Sequence, residues 1–99
     1  MRSPYNARIP EYKYSQSIQS FYEPALQLLH HMMQQSKAKL RKRNHPESNA
    51  AVKHEDFRAQ MHYRFKVALY LTFEIEKSLS RAGCVEIFGE HLKPKDGSL

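Results

Sequence analysis

Hydrophobic residues recur at helical spacing through most of the chain, in two long stretches. Over residues 15–43 they cover an arc of about 160° on a helical projection, with polar residues such as Gln34 on the opposite side. Ser15 or Ser17 can cap the N-terminus of this helix. Pro24 interrupts the pattern, so the helix either begins again there, with Pro24 in its first turn, or kinks. The pattern predicts a first helix over residues 15–43.

A second helical stripe follows a break at Asn44, His45 and Pro46. Its apolar members recur at spacings of four and three residues: Phe57, Met61, Phe65, Ala68, Thr72, Ile75 and Leu79. Gly83 is well placed to end this helix in a left-handed conformation. The pattern predicts a second helix over residues 48–82. Two helices joined by a short loop favour an antiparallel hairpin.

The two ends of the chain do not share this periodicity. Residues 1–14 contain Pro4 and Pro10, which oppose a helix and predict an extended arm. Residues 84–92 form either a short strand or, as the helical context favours, a turn that closes over the hairpin. Residues 93–99 are a polar tail. The sequence thus predicts an all-α fold, a long antiparallel helical hairpin over residues 15–92 with an extended N-terminal arm and a short C-terminal segment packed over it.

Residues 63–73 are apolar on more sides than one hairpin can bury. Tyr63 and Tyr70 lie nearly opposite the predicted buried face, and Val67 and Leu71 lie at its flank. Either the arm and tail cover these side chains or another protein does. The second alternative is favoured because a contiguous exposed apolar patch is unusual on a monomer. We therefore expect a protein partner or a homo-oligomer.

The arm contributes a further set of candidate interface residues, which are its tyrosines Tyr5, Tyr12 and Tyr14. Tyrosine offers a large contact area with few rotamers to restrict, which suits an interface anchor. The alternative is that these side chains pack back on the chain's own hairpin.

Positive charge is concentrated in the first half of the chain. The formal net charge is +6, and residues 1–45 carry eight Lys/Arg against two Glu, whereas residues 46–99 carry eight of each sign. Five cations fall within seven residues at the end of the first helix: Lys37, Lys39, Arg41, Lys42 and Arg43. One or two would complement the helix dipole, whereas five indicate contact with nucleic acid or another polyanion, such as an acidic protein surface. Because no base-reading motif is present, contact with nucleic acid would be to its phosphate backbone.

Catalytic and metal-binding patterns are missing from the sequence. The six histidines have no ligand spacing, and Arg58 between His54 and His62 opposes a metal ion on that helix face. Arg58 and His62 are four residues apart, which suits a surface pair rather than a catalytic one. No glycine precedes residue 83, so a phosphate-cradling loop is excluded before that point. We expect no enzymatic activity, no metal, no cofactor and no small-molecule substrate.

The single cysteine, Cys84, cannot form an internal disulfide, which favours a reducing compartment. The N-terminal segment lacks the apolar run of a secretory signal, and no apolar stretch approaches the roughly 18 residues of a membrane span. We expect an intracellular protein without a membrane segment.

The sequence as a whole favours a non-enzymatic binding protein. We expect a small accessory or structural subunit of a larger macromolecular assembly, with backbone contacts to nucleic acid through the basic helix end. One alternative is a small helical inhibitor or regulator, of the kind that mobile elements encode, which docks on one protein target. Another is a homodimeric DNA-binding regulator that buries its surplus apolar face in a four-helix bundle.

Overall fold

The computed structural model describes residues 17–95, so the whole of the predicted arm, with Tyr5, Tyr12 and Tyr14, lies outside the described residues. The described part is mostly helical and contains a three-stranded antiparallel sheet. In chain order its elements are helix α1 at Tyr22–Lys42, a 3-10 turn at Glu47–Asn49, strand β1 at Val52–Lys53, helix α2 at His54–Phe65, helix α3 at Leu69–Arg81, strand β2 at Val85–Phe88 and strand β3 at His91–Pro94.

The prediction of an all-α helical hairpin is wrong, first because the chain forms a sheet. Residues assigned to the start of the second helix form the 3-10 turn and β1, and the predicted closing turn is the β2–β3 hairpin. The strand order is β1-β3-β2, with Val52 opposite Leu92 and Ile87 opposite Leu92 on its other side. β1 has only two residues, too few to produce a periodic signal in the sequence. It forms because it pairs with β3, which lies about forty residues later in the chain.

The prediction is also wrong about the second helix, which is broken into α2 and α3 at residues 66–68. Lys66 adopts a left-handed conformation with φ 56°, and the Nδ1–H of His62 donates a 2.6 Å hydrogen bond to the carbonyl of Val67. A continuous helix over residues 48–82 would be about 50 Å long, against about 30 Å for α1. The break allows Phe57 of α2 and Ile75 of α3, both fully buried, to share one core.

Helix α1 begins at Tyr22, so Pro24 lies in its first turn, where a missing N–H costs no intrahelical hydrogen bond. This is the first of the two alternatives that the sequence left open. α1 ends in a turn at Asn44, whose φ is 60°, and His45 N–H donates to the carbonyl of Leu40 at 2.9 Å. The basic residues of the last turn are thereby held at a well-defined helix end.

All three helices and the sheet contribute to one hydrophobic core. The large residues that are fully buried come from four elements: Leu29, Phe57, Met61, Ile75, Leu79 and Leu92. At the N-terminal end of α1, the ring of Phe21 stacks on that of Phe65, 5.7 Å between centroids. Nearby, the hydroxyl of Tyr22 hydrogen-bonds Ser78 on α3. These contacts hold the start of α1 against α2 and α3. Strand β2 packs against α3.

Candidate interaction surface

A buried ion pair joins α2 to α3. Arg58 Nη1 lies 2.6 Å from Glu76 Oε1, and Glu76 is only 5% exposed. The same guanidinium donates to Nδ1 of His54 at 2.7 Å, and its central carbon lies 4.1 Å from the centroid of the Phe73 ring. Since each group is held by the others, the cluster fixes how the two helices cross.

The sequence carries a signal for this pair that apolar periodicity does not show. Glu76 falls on the buried stripe of α3, one residue after Ile75 and three before Leu79. A carboxylate in such a position is costly to bury unless a cation reaches it. Arg58 directly follows the fully buried Phe57 and can supply that cation from α2. A charged residue inside an apolar stripe therefore predicts a partner, although not which one.

Beside the ion pair is a pocket of about 200 Å³ between α2, α3 and β2. Its lining residues are Arg58, Phe73, Glu76, Lys77 and Ile87. The lining thus carries two cations and one carboxylate, with apolar walls from Phe73 and Ile87. These two side chains are 46% and 40% exposed, so the pocket opens at the molecular surface.

The mouth of the pocket continues into an exposed apolar surface on α3. Leu69 and Tyr70 lie four and three residues before Phe73, which makes all three neighbours on one side of the helix. Leu69 is 49% and Tyr70 is 69% exposed. Phe73 and Ile87 of β2 both line the pocket. We call the four residues Leu69, Tyr70, Phe73 and Ile87 the α3–β2 surface.

The structure separates the interface residues expected from the sequence. Tyr63 and Tyr70 are exposed, Val67 is half-buried, and Leu71 is half-buried against the hydrophobic core. Tyr63 follows Arg58 by five residues, which is about 140° around α2, so it points away from α3. Only Tyr70 therefore belongs to the α3–β2 surface. The sequence did not predict its other three members as interface residues, although Leu69 and Phe73 lie in the apolar stretch at residues 63–73.

The basic cluster lies at the far end of α1 from Tyr22. Lys37 is half-buried, and the exposed members are Lys39, Arg41, Lys42 and Arg43. Arg41 Nη1 pairs with Glu47 Oε2 at 3.3 Å, but both side chains are largely exposed, 59% and 43%, so the pair contributes little to stability. The cluster remains a cationic surface at this helix end.

No known protein family, no curated protein and no solved structure matches this chain. Among residues 17–95, no group of three or more His, Cys, Asp or Glu side chains is arranged to hold a metal ion. Within the same residues, no helix has both the length and the apolarity to cross a membrane.

Proposed function

We propose that this chain is a non-enzymatic binding protein, an accessory or structural subunit of a larger assembly, and that its protein interface is the α3–β2 surface. The observation that carries the proposal is the group of three large apolar side chains exposed on α3 beside an open pocket. Aromatic and aliphatic anchors around a pocket are typical of the centre of a protein interface. Association would remove this apolar area from water.

The polar groups of the pocket support binding rather than catalysis. Arg58 donates to both His54 and Glu76, and Lys77 lies 3.5 Å from Glu74. A catalytic acid or base must present a proton site to its substrate. Here the carboxylate of Glu76 is 94% buried and engaged by Arg58, which suits a group that holds two helices together.

Site-specific photo-crosslinking in the cell of origin tests the interface. A benzophenone amino acid replaces Tyr70 in one variant and Phe73 in a second. The matched control carries it at His30, an exposed position of α1. We expect the same protein to be crosslinked from positions 70 and 73 and not from position 30. Equal labelling from all three positions, or none from 70 and 73, would remove the α3–β2 surface as the interface.

The crosslinked protein is then purified and its affinity for the chain is measured. Tyr70→Asp places a charge on the α3–β2 surface and is expected to weaken binding at least about tenfold. Tyr63→Asp, on the opposite side of α2, is the matched control and should bind as the wild type does. Light scattering tests the homodimer alternative: a dimer that Tyr70→Asp dissociates would assign the surface to a second copy of the chain.

A second candidate function is contact with a nucleic-acid backbone through the basic cluster. It is favoured by the exposure of Lys39, Lys42 and Arg43 together at the end of α1. Each phosphate neutralised contributes roughly 0.9 to the slope of log affinity against log salt for duplex DNA. Changing these three residues to Gln should therefore flatten the slope by up to about 3.

The matched control removes the same charge elsewhere, by changing Lys53, Lys66 and Arg81 to Gln, all of which are exposed. Binding to a generic DNA duplex is measured at two salt concentrations. If the wild type shows no salt-dependent binding, or if both triple variants lose it equally, the basic cluster is not a nucleic-acid site.

A further inference from the structure

Strand β2 is an edge strand, because it pairs with β3 on one side and has no neighbouring strand on the other within residues 17–95. At the end of the ladder away from the hairpin turn, Lys95 N–H donates to the Cys84 carbonyl at 3.0 Å, so that opposed pair is hydrogen-bonded. Bonded and non-bonded pairs alternate along an antiparallel ladder. The Ile87–Leu92 pair, three positions along, is therefore non-bonded. The N–H and C=O of Ile87 consequently point away from β3, toward the open edge.

The open edge carries exposed apolar side chains on both faces of the sheet. Ile87 is 40% exposed and lies on the same face as Leu92, which is buried in the core with the helices. Phe88 is 43% exposed and points to the opposite face, since successive side chains alternate along a strand. Unpaired backbone groups beside exposed apolar side chains form a template for pairing with another chain.

The charged residues of the pocket and of β2 each face an opposite charge. Three such pairs surround the edge: Arg58 with Glu76 at 2.6 Å, Lys77 with Glu74 at 3.5 Å, and Glu86 opposite Lys93 in the sheet. A surface with an excess of one sign would repel a copy of itself, whereas a balanced surface does not. This balance, together with the apolar side chains, suits contact with an identical surface.

We propose that the open edge of β2 pairs with the same edge of a second copy of the chain, antiparallel and centred on Ile87. Each Ile87 N–H would donate to the Ile87 carbonyl of the other copy, which makes this a hydrogen-bonded pair. Directly opposite residues share a face of the sheet, so the helices of both copies would lie on one side of a joined six-stranded sheet. This inference rests on the proposed function and names the partner at the α3–β2 surface.

Glu86 selects this register. Val85 is buried, so a two-fold pairing through the accessible part of β2 is centred on residue 86, 87 or 88. Centring on residue 86 places Glu86 opposite Glu86 of the second copy, and centring on residue 88 places it opposite Glu90. Like charges directly opposite each other are destabilising. Centring on Ile87 instead places Glu86 opposite Phe88, and no charges of the same sign face each other.

The exposed area is large enough for two copies to associate. The large apolar side chains at the edge are 40% to 69% exposed: Leu69, Tyr70, Phe73, Ile87 and Phe88. At roughly 200 Å² for a fully exposed large side chain, they leave about 500 Å² per copy in water. Two copies together offer about 1,000 Å², the lower limit of a specific interface, before the paired backbones are counted. A two-fold contact buries both patches at once.

Sedimentation equilibrium of the full-length chain tests for the dimer. We expect the mass to rise with concentration from 11.7 kDa to twice that value. Hydrogen exchange of the Ile87 amide should slow over the same concentration range, because its N–H is bonded only in the dimer.

Ile87→Pro tests the pairing itself. It removes the outward N–H but no hydrogen bond between β2 and β3, and proline is tolerated on an edge strand where its nitrogen faces outward. Symmetry removes both central hydrogen bonds at once, so we expect the dimer to weaken at least about tenfold. Ile87→Val keeps the N–H and a branched side chain and is the matched control, with a dissociation constant within about threefold of the wild type.

Two substitutions of Phe88 test the register and leave the backbone unchanged. Phe88→Lys places a cation opposite Glu86 of the second copy, and Phe88→Glu places a carboxylate there. We expect the glutamate variant to dimerise at least about fivefold more weakly than the lysine variant. A pairing centred on residue 88 would set the two introduced charges against each other in both variants. Equal weakening of the two would therefore overturn the proposed register.

Three further results would overturn the proposal. A chain that stays monomeric at every concentration excludes the second copy, and a dimer that Ile87→Pro leaves intact is held by other contacts. An Ile87 amide equally protected in monomer and dimer would place the chain's own N-terminal residues at the edge. If Ile87→Pro misfolds, the amide exchange and the Phe88 variants decide the question. The proposed function fails separately: a monomeric chain whose positions 70 and 73 crosslink a different protein keeps the interface and loses the second copy.

Discussion

Arg58 and Glu76 connect the two halves of what the sequence presents as one long helix. Their 2.6 Å contact crosses from α2 to α3 and also forms the inner wall of the pocket. Each charge would be costly to bury alone, so the pair is better understood as fixing one arrangement of the helices than as a large net source of stability. The pocket and the α3–β2 surface depend on that arrangement.

Breaking this pair on one side should destabilise the fold more than replacing it entirely. Glu76→Leu leaves Arg58 mostly buried without its carboxylate and is expected to lower the free energy of unfolding by about 3 kcal/mol. The double variant Arg58→Met, Glu76→Leu removes both charges and should recover most of that loss. Urea denaturation of the two variants and the wild type measures the difference. A double variant less stable than Glu76→Leu would contradict this account.

Lys66→Gly distinguishes the observed break from a continuous helix. At φ 56° a lysine is strained, and glycine relieves that strain by about 1 kcal/mol. In a continuous helix the same change would cost about 1 kcal/mol. Lys66→Ala is the control, because it removes the side chain without relieving the strain. Thermal and urea unfolding should show the glycine variant to be more stable than the alanine variant, and the reverse order would indicate a continuous helix.

Gly83 ends α3 in a conformation that other residues adopt at a cost. Its φ is 77°, and Cys84 N–H donates to the carbonyl of Leu79 at 2.9 Å, which completes the helix cap. A Cβ atom added there would meet no atom within 4 Å, so for alanine only the backbone conformation is penalised. We expect Gly83→Ala to lower the free energy of unfolding by about 1 kcal/mol. Gly83→Asn should cost less, since asparagine tolerates this region, and equal losses would argue against a conformational cause.

Phe57 and Tyr63 lie on the same helix but in opposite environments, 0% and 75% exposed. Phe57→Ala should cost about 3–5 kcal/mol because it leaves a cavity in the shared core. Tyr63→Ala should change stability by less than about 0.5 kcal/mol. Circular dichroism during urea unfolding provides both values. Similar losses for the two variants would place Tyr63 in the core and contradict the observed orientation of α2.

The sequence alone determined the features that depend on residues close together in the chain. The apolar stripe of α1 is a local pattern, as are the stripe members Phe57, Met61, Ile75 and Leu79, all of which are buried. The left-handed conformation at Gly83 was also predicted and is confirmed, because glycine is the residue that most readily adopts it. For the candidate site, local pattern indicated Tyr70 and the basic cluster at Lys37–Arg43 as exposed features.

Only the tertiary structure decided the rest. No glycine or proline marks the helix break at Lys66 in the sequence. The break follows from the need to bury the apolar faces of α2 and α3 against a shorter α1. β1 exists because Val52 meets Leu92, forty residues later in the chain. Arg58, Phe73 and Ile87 come from three elements and meet at one pocket. Such long-range contacts depend on the packing of the whole chain, so no periodicity within a single segment predicts them.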